Sequence, residues 1–491
     1  MRNMTTDPCL QSAEQALASM RAGELTASGL MDAILKRVER LNPALNAIVT
    51  PNAAEARRLA VQPAPGPFSG MPFTVKDIWK TQGLRSTAGH PALQDCVPDH
   101  DAPAVARLRA AGAILVGKTN LSEMAADSQT DNPLFGRTNN PWDPSRTPGG
   151  SSGGGAAAVA AGLSFLDIGN DLLGSVRIPA HCCGLCGFVP TSGTVSASGS
   201  LLPPIDSHML RQFLRPGFLA RNVETLEAAW RATAGSDDGN RDLVAADVRE
   251  QEAPHPKSIG MAWSWNLGHL PLDSTVRTAL AAWRAGVAAA GVSVTDLEAG
   301  AVAFRDASDA FLNLFLPATA LGMPPAVRAL ARLGGNRHLH VDLRRVWEAE
   351  RSRDEVLCQL DRALERAGGL LACPVMAVPA YPHLKPDGRM GVQPLYRRGI
   401  PVNGRPENYA TVNVGYTVPF TVTGNPVLVL PVGLTGDGLP VGVQLVGRRF
   451  RDTALLAAGR ALMAALPFDM HPPMAEWTAE RMADRKGSKG G

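Results

Sequence analysis

The sequence lacks a charge excess of either sign. Its 48 Lys and Arg residues stand against 45 Asp and Glu, a formal net charge of +3 over 491 residues. It therefore carries no electrostatic footprint for a nucleic acid or an anionic membrane, and a small neutral substrate is the expected partner. No apolar run approaches the length of a membrane span. The opening MRNMTTDPCLQSAEQALASM contains no continuous apolar segment ending in a small-residue cleavage site. No secretory signal is read there, and the cytoplasm is the expected location. Cysteine is sparse and odd in number, seven in the whole chain, which suits reduced thiols better than a disulfide framework. Cys182, Cys183 and Cys186 lie beside His181, but no second Cys or His pair follows at zinc-site spacing. They are expected to be inert packing residues, and neither a metal nor any other cofactor is expected. There is no internal repeat.

What is present is an alternation of strand and helix patterns. Residues 26–41, TASGLMDAILKRVERL, place Leu30, Ile34, Val38 and Leu41 on one helical face, with Thr26 as cap and Asn42-Pro43 as stop. NAIV, GMPFTVKDIW, ILVGKTN, SIGMAW and LLACPVMAVP read as strands. Helices are expected around 53–60, from Pro103, over 273–291, between about 305 and 367, and in DTALLAAGRALMAAL. Near the C-terminus two apolar runs joined by TGDG predict a hairpin. The expectation is an α/β fold: one large domain with a mixed, mostly parallel twisted sheet covered by helices on both faces. Within it, residues 1–65 supply N-terminal helices, 66–245 the core, and 246–480 a second half ending in the hairpin and a helix. Residues 481–491 are expected to be a flexible tail.

Two motifs are rejected on context. Gly112 to Thr119, GAILVGKT, satisfies the P-loop pattern letter for letter, but a helix precedes it and Ala-Ile-Leu-Val between the glycines is itself a strand, so it offers no phosphate cradle. Gly149 to Gly153, GGSSG, satisfies the nucleophile-elbow pattern, yet the residues before it, NNPWDPSRTP, are turn-formers where that motif needs a strand.

Three separated stretches then agree: GMPFTVKDIW, RTPGGSSGGGAAAVAAG and GNDLLGSVRIPAHCCGLCG. Together with PFTVTGNPVLVLPVG near the C-terminus, they resemble the amidase signature family over roughly residues 25–470. The resemblance implies a fold of that family and a catalytic set of Lys76, Ser151 and Ser175, the two serines 24 positions apart. Ser175 would attack an amide carbonyl, Ser151 would pass its proton to Lys76 and return one to the leaving amine, and water would release the acyl group. It also implies a cis peptide between Gly150 and Ser151, with the glycines letting the backbone bend Ser151 inward. The implied oxyanion donors are the backbone N–H groups of Leu172, Leu173, Gly174 and Ser175.

A free lysine titrates near 10.4, leaving only about one molecule in a thousand neutral at pH 7. Burial behind the apolar MPFTV is expected to lower that value. Asp171 and Arg177 are expected to pair and hold the turn. By position, the strip EMAADSQTD is expected to line the acyl pocket, with Ala125 and Ser128 as its leading contacts. Leu173 stands where the family commonly has glycine and Asn170 where it has threonine; the Asn-Asp start is similar to the branch containing nylon cyclic-dimer hydrolases. Val189 and Thr194 also depart from the family's Lys and Arg.

The implied activity is hydrolysis of a C–N bond in a small-molecule amide, classed with linear amides, with esters or carbamates as further substrates and a homodimer left open. Two alternatives remain: the amidase subunit of a tRNA-dependent amidotransferase, and a catalytically silent binding protein on the same scaffold.

Overall fold

The computed structural model describes residues 7–202, 208–237, 243–249, 251–321, 342–468 and 471–473. The tail expected at 481–491 and the middle of the helical region expected between 305 and 367 lie outside the described residues. The first long helix, Ala27–Leu45, starts where the pattern places it, with the Thr26 hydroxyl accepting from the Gly29 amide at 3.0 Å. Leu30, Ile34 and Leu41 are buried on its inner face. Its expected stop at Asn42-Pro43 is corrected. The helix continues to Leu45 with Pro43 inside the last turn, although the ring removes the bond its amide would have made to residue 39. Asn42 meanwhile uses its side-chain oxygen to accept from the amides of Ala47 and Ile48 at 2.9 and 2.8 Å, steering the chain into the first strand.

The strands in chain order are β1 Ile48–Pro51, β2 Pro72–Lys76, β3 Ile114–Thr119, β4 Leu166–Asp171 and β5 Cys186–Val189. They continue with β6 Arg215–Ala220, β7 Gly260–Trp263, β8 Ser293–Asp296 and β9 Gly369–Pro374. Two small hairpins follow, β10 Gly388–Met390 with β11 Gln393–Leu395 and β12 Ile400–Val402 with β13 Arg405–Glu407. β14 Val427–Leu434 and β15 Pro440–Gly447 complete the set. Eleven of these form one sheet in the order β1-β3-β2-β4-β6-β5-β14-β15-β9-β7-β8, so strands from both halves of the chain share a single core. Strands β2, β3, β4, β5, β6 and β15 are buried at every position, as they must be when both faces of a sheet are covered.

The mixed α/β sheet is as expected, but its mostly parallel character is corrected. Four neighbouring pairs are parallel and lie in two blocks, β3-β2-β4 and β9-β7-β8. The other six are antiparallel. Helical crossovers generate the parallel blocks, whereas the β14-β15 hairpin, closed by Thr435 to Gly438, makes three of the antiparallel pairs, and β1-β3, β4-β6 and β5-β6 are the other three. GAILVGKT behaves as the context argument requires, because β3 occupies its centre and is wholly buried.

The glycine run resolves into two parts. Gly149 adopts φ +79, a turn conformation, whereas Gly153 to Gly155 open the buried helix Gly153–Ala160. That helix approaches β3 so closely that a Cβ on Gly154 would lie 2.4 Å from the amide nitrogen and 2.5 Å from the carbonyl oxygen of Asn120. Backbone cannot yield as a side-chain tip can. Gly154→Ala is expected to destabilise the fold by roughly 1–3 kcal/mol, the usual cost of overpacking. Urea titration would show this as a lowered midpoint; an unchanged midpoint would mean the helix can move away.

Candidate active site

Lys76 is the last residue of β2, and Asn170 and Asp171 end the parallel neighbour β4. The period of two along a strand puts Thr74 and Lys76 on one face. Thr74 donates to Asp167 at 2.8 Å, and Lys76 Nζ, buried among these groups, lies 2.6 Å from Asn170 Oδ1 and 2.6 Å from Ser151 Oγ. Ser151 follows a cis peptide from Gly150 and precedes the Gly153–Ala160 helix. Its Oγ is 2.9 Å from Ser175 Oγ, and the Ser152 amide donates to the Ser175 carbonyl at 3.1 Å, tying the two serine-bearing turns together. The three residues expected to act as a relay are thus contiguous.

Burial dominates the electrostatics. It pushes Lys76 down to about 7, against the opposing pull of the Asp167 and Asp171 carboxylates. Asp167 is itself pushed up to about 6 by burial, moderated by hydrogen bonds from Thr74 and Thr119. Asp171 behaves differently: burial acts to raise it, but the Arg177 guanidinium outweighs that and holds it at about 2. Arg177 contacts the Asp171 carboxylate through Nη2 at 2.6 Å and Nε at 3.1 Å, both side chains fully buried. The same carboxylate accepts from the amides of Gly174 and Val176 at 2.8 and 3.0 Å, so it shapes the whole turn around Ser175. Arg177 also donates to the Thr417 carbonyl at 2.8 Å and the Thr421 hydroxyl at 3.0 Å, and Thr417 Oγ1 donates to the Leu173 carbonyl at 2.5 Å.

A cavity of about 470 Å³ opens over this turn, and Ser175, Leu172, Leu173, Ala125 and Ser128 all form part of its wall. The expected oxyanion set needs one correction. The Gly174 amide is engaged by Asp171, because the carboxylate that fixes the turn needs donors from it. Among the described residues, the amides of Leu172, Leu173 and Ser175 have no such partner. Gly174 is required for another reason, since it has φ +114 and a Cβ there would meet Thr417 Oγ1 at 2.7 Å.

Sequence reasoning missed several wall residues. Asn170 was noted only as a departure; it lies three positions from Asp167, an odd spacing, so strand alternation gave no signal that both would bond to side chains on the Thr74–Lys76 face. Tyr409 of the wall and its neighbour Tyr396 come from a region without a motif, whereas Asp127 lies in the strip EMAADSQTD expected along the pocket but was not singled out there. Tyr409 donates to Asp127 Oδ1 at 2.7 Å and Tyr396 to Oδ2 at 2.8 Å, with the two rings stacked at 4.2 Å.

The remaining candidates fall outside the site. Cys182, Cys183 and Cys186 are buried, and burial pushes each thiol well above its ordinary value. His181 is held down to about 4 by burial; its Nδ1 accepts from the Gly442 amide at 3.0 Å and its Nε2 lies 3.1 Å from the Val378 carbonyl, a neutral structural histidine. Lys118 is buried against the Trp79 carbonyl, Ser86 and Asp77.

A buried lysine and two serines in line with it, at the wall of a cavity, form an arrangement suited to nucleophilic attack on a carbonyl. The chain matches the model of the Amidase family over residues 30–456 and belongs to that amidase signature family of hydrolases acting on C–N bonds. It is 31% identical to the 6-aminohexanoate-cyclic-dimer hydrolase of Paenarthrobacter ureafaciens, the match covering 94% of this chain and 96% of the relative. It is 33% identical to the A-type subunit of the glutamyl-tRNA(Gln) amidotransferase of Thermus thermophilus, covering 92% and 97%. A solved structure of 6-aminohexanoate cyclic dimer hydrolase superposes with a TM-score of 0.79 at 28% identity, over 95% of this chain and 99% of that one.

Removing Arg177 leaves Asp171 buried without its counter-charge. Arg177→Met is therefore expected to lower stability by about 3–5 kcal/mol at neutral pH. In the parent protein the folded-state value of Asp171 is depressed, so its contribution is complete above the ordinary carboxylate range and fades as pH falls toward 2. Denaturant unfolding at pH 7 and pH 3 checks both points, the difference between parent and variant shrinking at the lower pH.

Proposed function

We propose that the protein is an amidase that cleaves a carboxamide C–N bond through an acyl-enzyme on Ser175. The observation that carries the reading is the contact chain from Lys76 Nζ through Ser151 Oγ to Ser175 Oγ, 2.6 and 2.9 Å, with Ser175 facing the cavity. Hydroxyl protons rotate, so these contacts run in the productive sense when Ser175 donates to Ser151 and Ser151 to the neutral amine. Asn170 accepts an amine N–H in either protonation state, which holds the lysine's free valence toward Ser151. The oxygen of the attacked carbonyl is then stabilised by the amides of Leu172, Leu173 and Ser175. The proton taken up by Lys76 returns through Ser151 to the departing nitrogen, and water releases the acyl group by the same relay.

The substrate is an amide small enough for a cavity of about 470 Å³ and largely apolar where it meets Leu172 and Leu173. A cyclic amide is as compatible as a linear one, since the named relative cleaves a cyclic dimer. Similarity to the A-type amidotransferase polypeptide supports a second reading, in which the chain works with partner proteins; glutaminase activity of the isolated chain and co-purifying partners would favour it.

A lysine base with its folded-state value near 7 makes kcat/KM rise as pH increases through about 7 and level off above. A profile flat from pH 6 to 10 removes Lys76 from the base role. Lys76→Ala is expected to cost about 10²–10⁴-fold in kcat, the usual contribution of a general base. A fluorophosphonate probe is expected to label the parent protein and not Ser175→Ala. Equal labelling of both would reassign the nucleophile, and labelling of neither would favour a silent binding scaffold.

A further inference from the structure

The cavity wall is mostly hydrocarbon, with Leu172, Leu173, Ile178 and Phe315 among its members, yet it includes one half-buried carboxylate, Asp127. The neighbouring acid, Glu123, is matched with His90 at 2.8 Å and Arg389 at 2.5 Å. Asp127 has no cationic partner among the described residues; it is held by neutral donors, the Tyr409 and Tyr396 hydroxyls and the Ser128 amide at 2.8 Å. Tyr396 is itself fixed by Gln129 Nε2 at 2.7 Å, so the carboxylate sits in a preorganised frame. Burial pushes it up to about 6, which still leaves it predominantly ionised at neutral pH. An anion without a counter-ion in an apolar chamber is costly, and a ligand that brings the missing positive charge recovers that cost.

Resting on the amidase reading, we propose that Asp127 anchors an ammonium group of the substrate, so that the preferred amides carry a cationic amine joined to the scissile bond by an apolar linker. The phenol frame sets where that amine sits, and the hydrocarbon wall accommodates the linker.

The test compares pairs of chromogenic amides that differ only in a terminal ammonium or an isosteric methyl group, placed in one pair on the acyl side and in the other on the amine side. For at least one pair, Asp127→Asn is expected to lower the ratio of kcat/KM, ammonium over methyl, by about 10- to 100-fold relative to the parent, the range of a lost charge-assisted contact. A merely structural role for Asp127 lowers both members together, and a ratio unchanged within about threefold for both pairs overturns the proposal. Should the variant not fold, the parent alone decides. Inhibition by alkylammonium ions clearly stronger than by alkanols of equal length supports the anchor, and no discrimination overturns it. Fluorophosphonate labelling that persists while the ratio stays fixed sinks only the anchor. Absence of labelling sinks the amidase reading beneath it.

Discussion

The buried ion pair of Asp171 and Arg177 is the constraint on which the site depends. One carboxylate collects the guanidinium and the amides of Gly174 and Val176, and the guanidinium reaches across to Thr417 and Thr421. The turn that carries Ser175 is thereby fixed at both ends, on β4 and on a segment more than two hundred residues away in sequence. Fully buried charges are expensive, and this pair endures because almost every lone pair and donor is matched. Among the described residues, the amides of the cavity-lining Leu172, Leu173 and Ser175 are left without a partner.

Lys76 illustrates the opposite use of burial. It receives a carbonyl and a hydroxyl, but no carboxylate within hydrogen-bonding distance, so desolvation prevails and the amine is poised near neutrality. Two basic side chains within one core thus have different surroundings: Arg177 is paired with a carboxylate, while Lys76 is poised to exchange a proton. The contrast follows from partners rather than from depth, since both side chains are fully buried.

The alternation of strand and helix was legible because it rests on periodicity, and so were Lys76, Ser151 and Ser175, which sit in three ordered motifs. The strand order was not, because the antiparallel insertion of β14 and β15 between two parallel blocks is decided by packing between distant segments. Pro43 was misread as a stop because the bonds that carry the chain on past it, from the Ala47 and Ile48 amides to Asn42, depend on the fold of the following turn. The glycines were read as giving freedom of bending, whereas Gly153 to Gly155 serve mainly to admit neighbouring backbone and side chains at short range. Asp127 could not be singled out, because its meaning depends on Tyr396 and Tyr409, more than 250 positions further along.

The β10-β11 hairpin contributes Val392 and Gln393 to the cavity wall but no member of the serine-lysine chain. The cavity wall and the serine-lysine contacts are thus drawn partly from separate stretches of the polypeptide. Because this hairpin lies outside the main sheet, substitutions at Val392 or Gln393 would reshape the wall while leaving the strands that hold Lys76 and Ser175 in register.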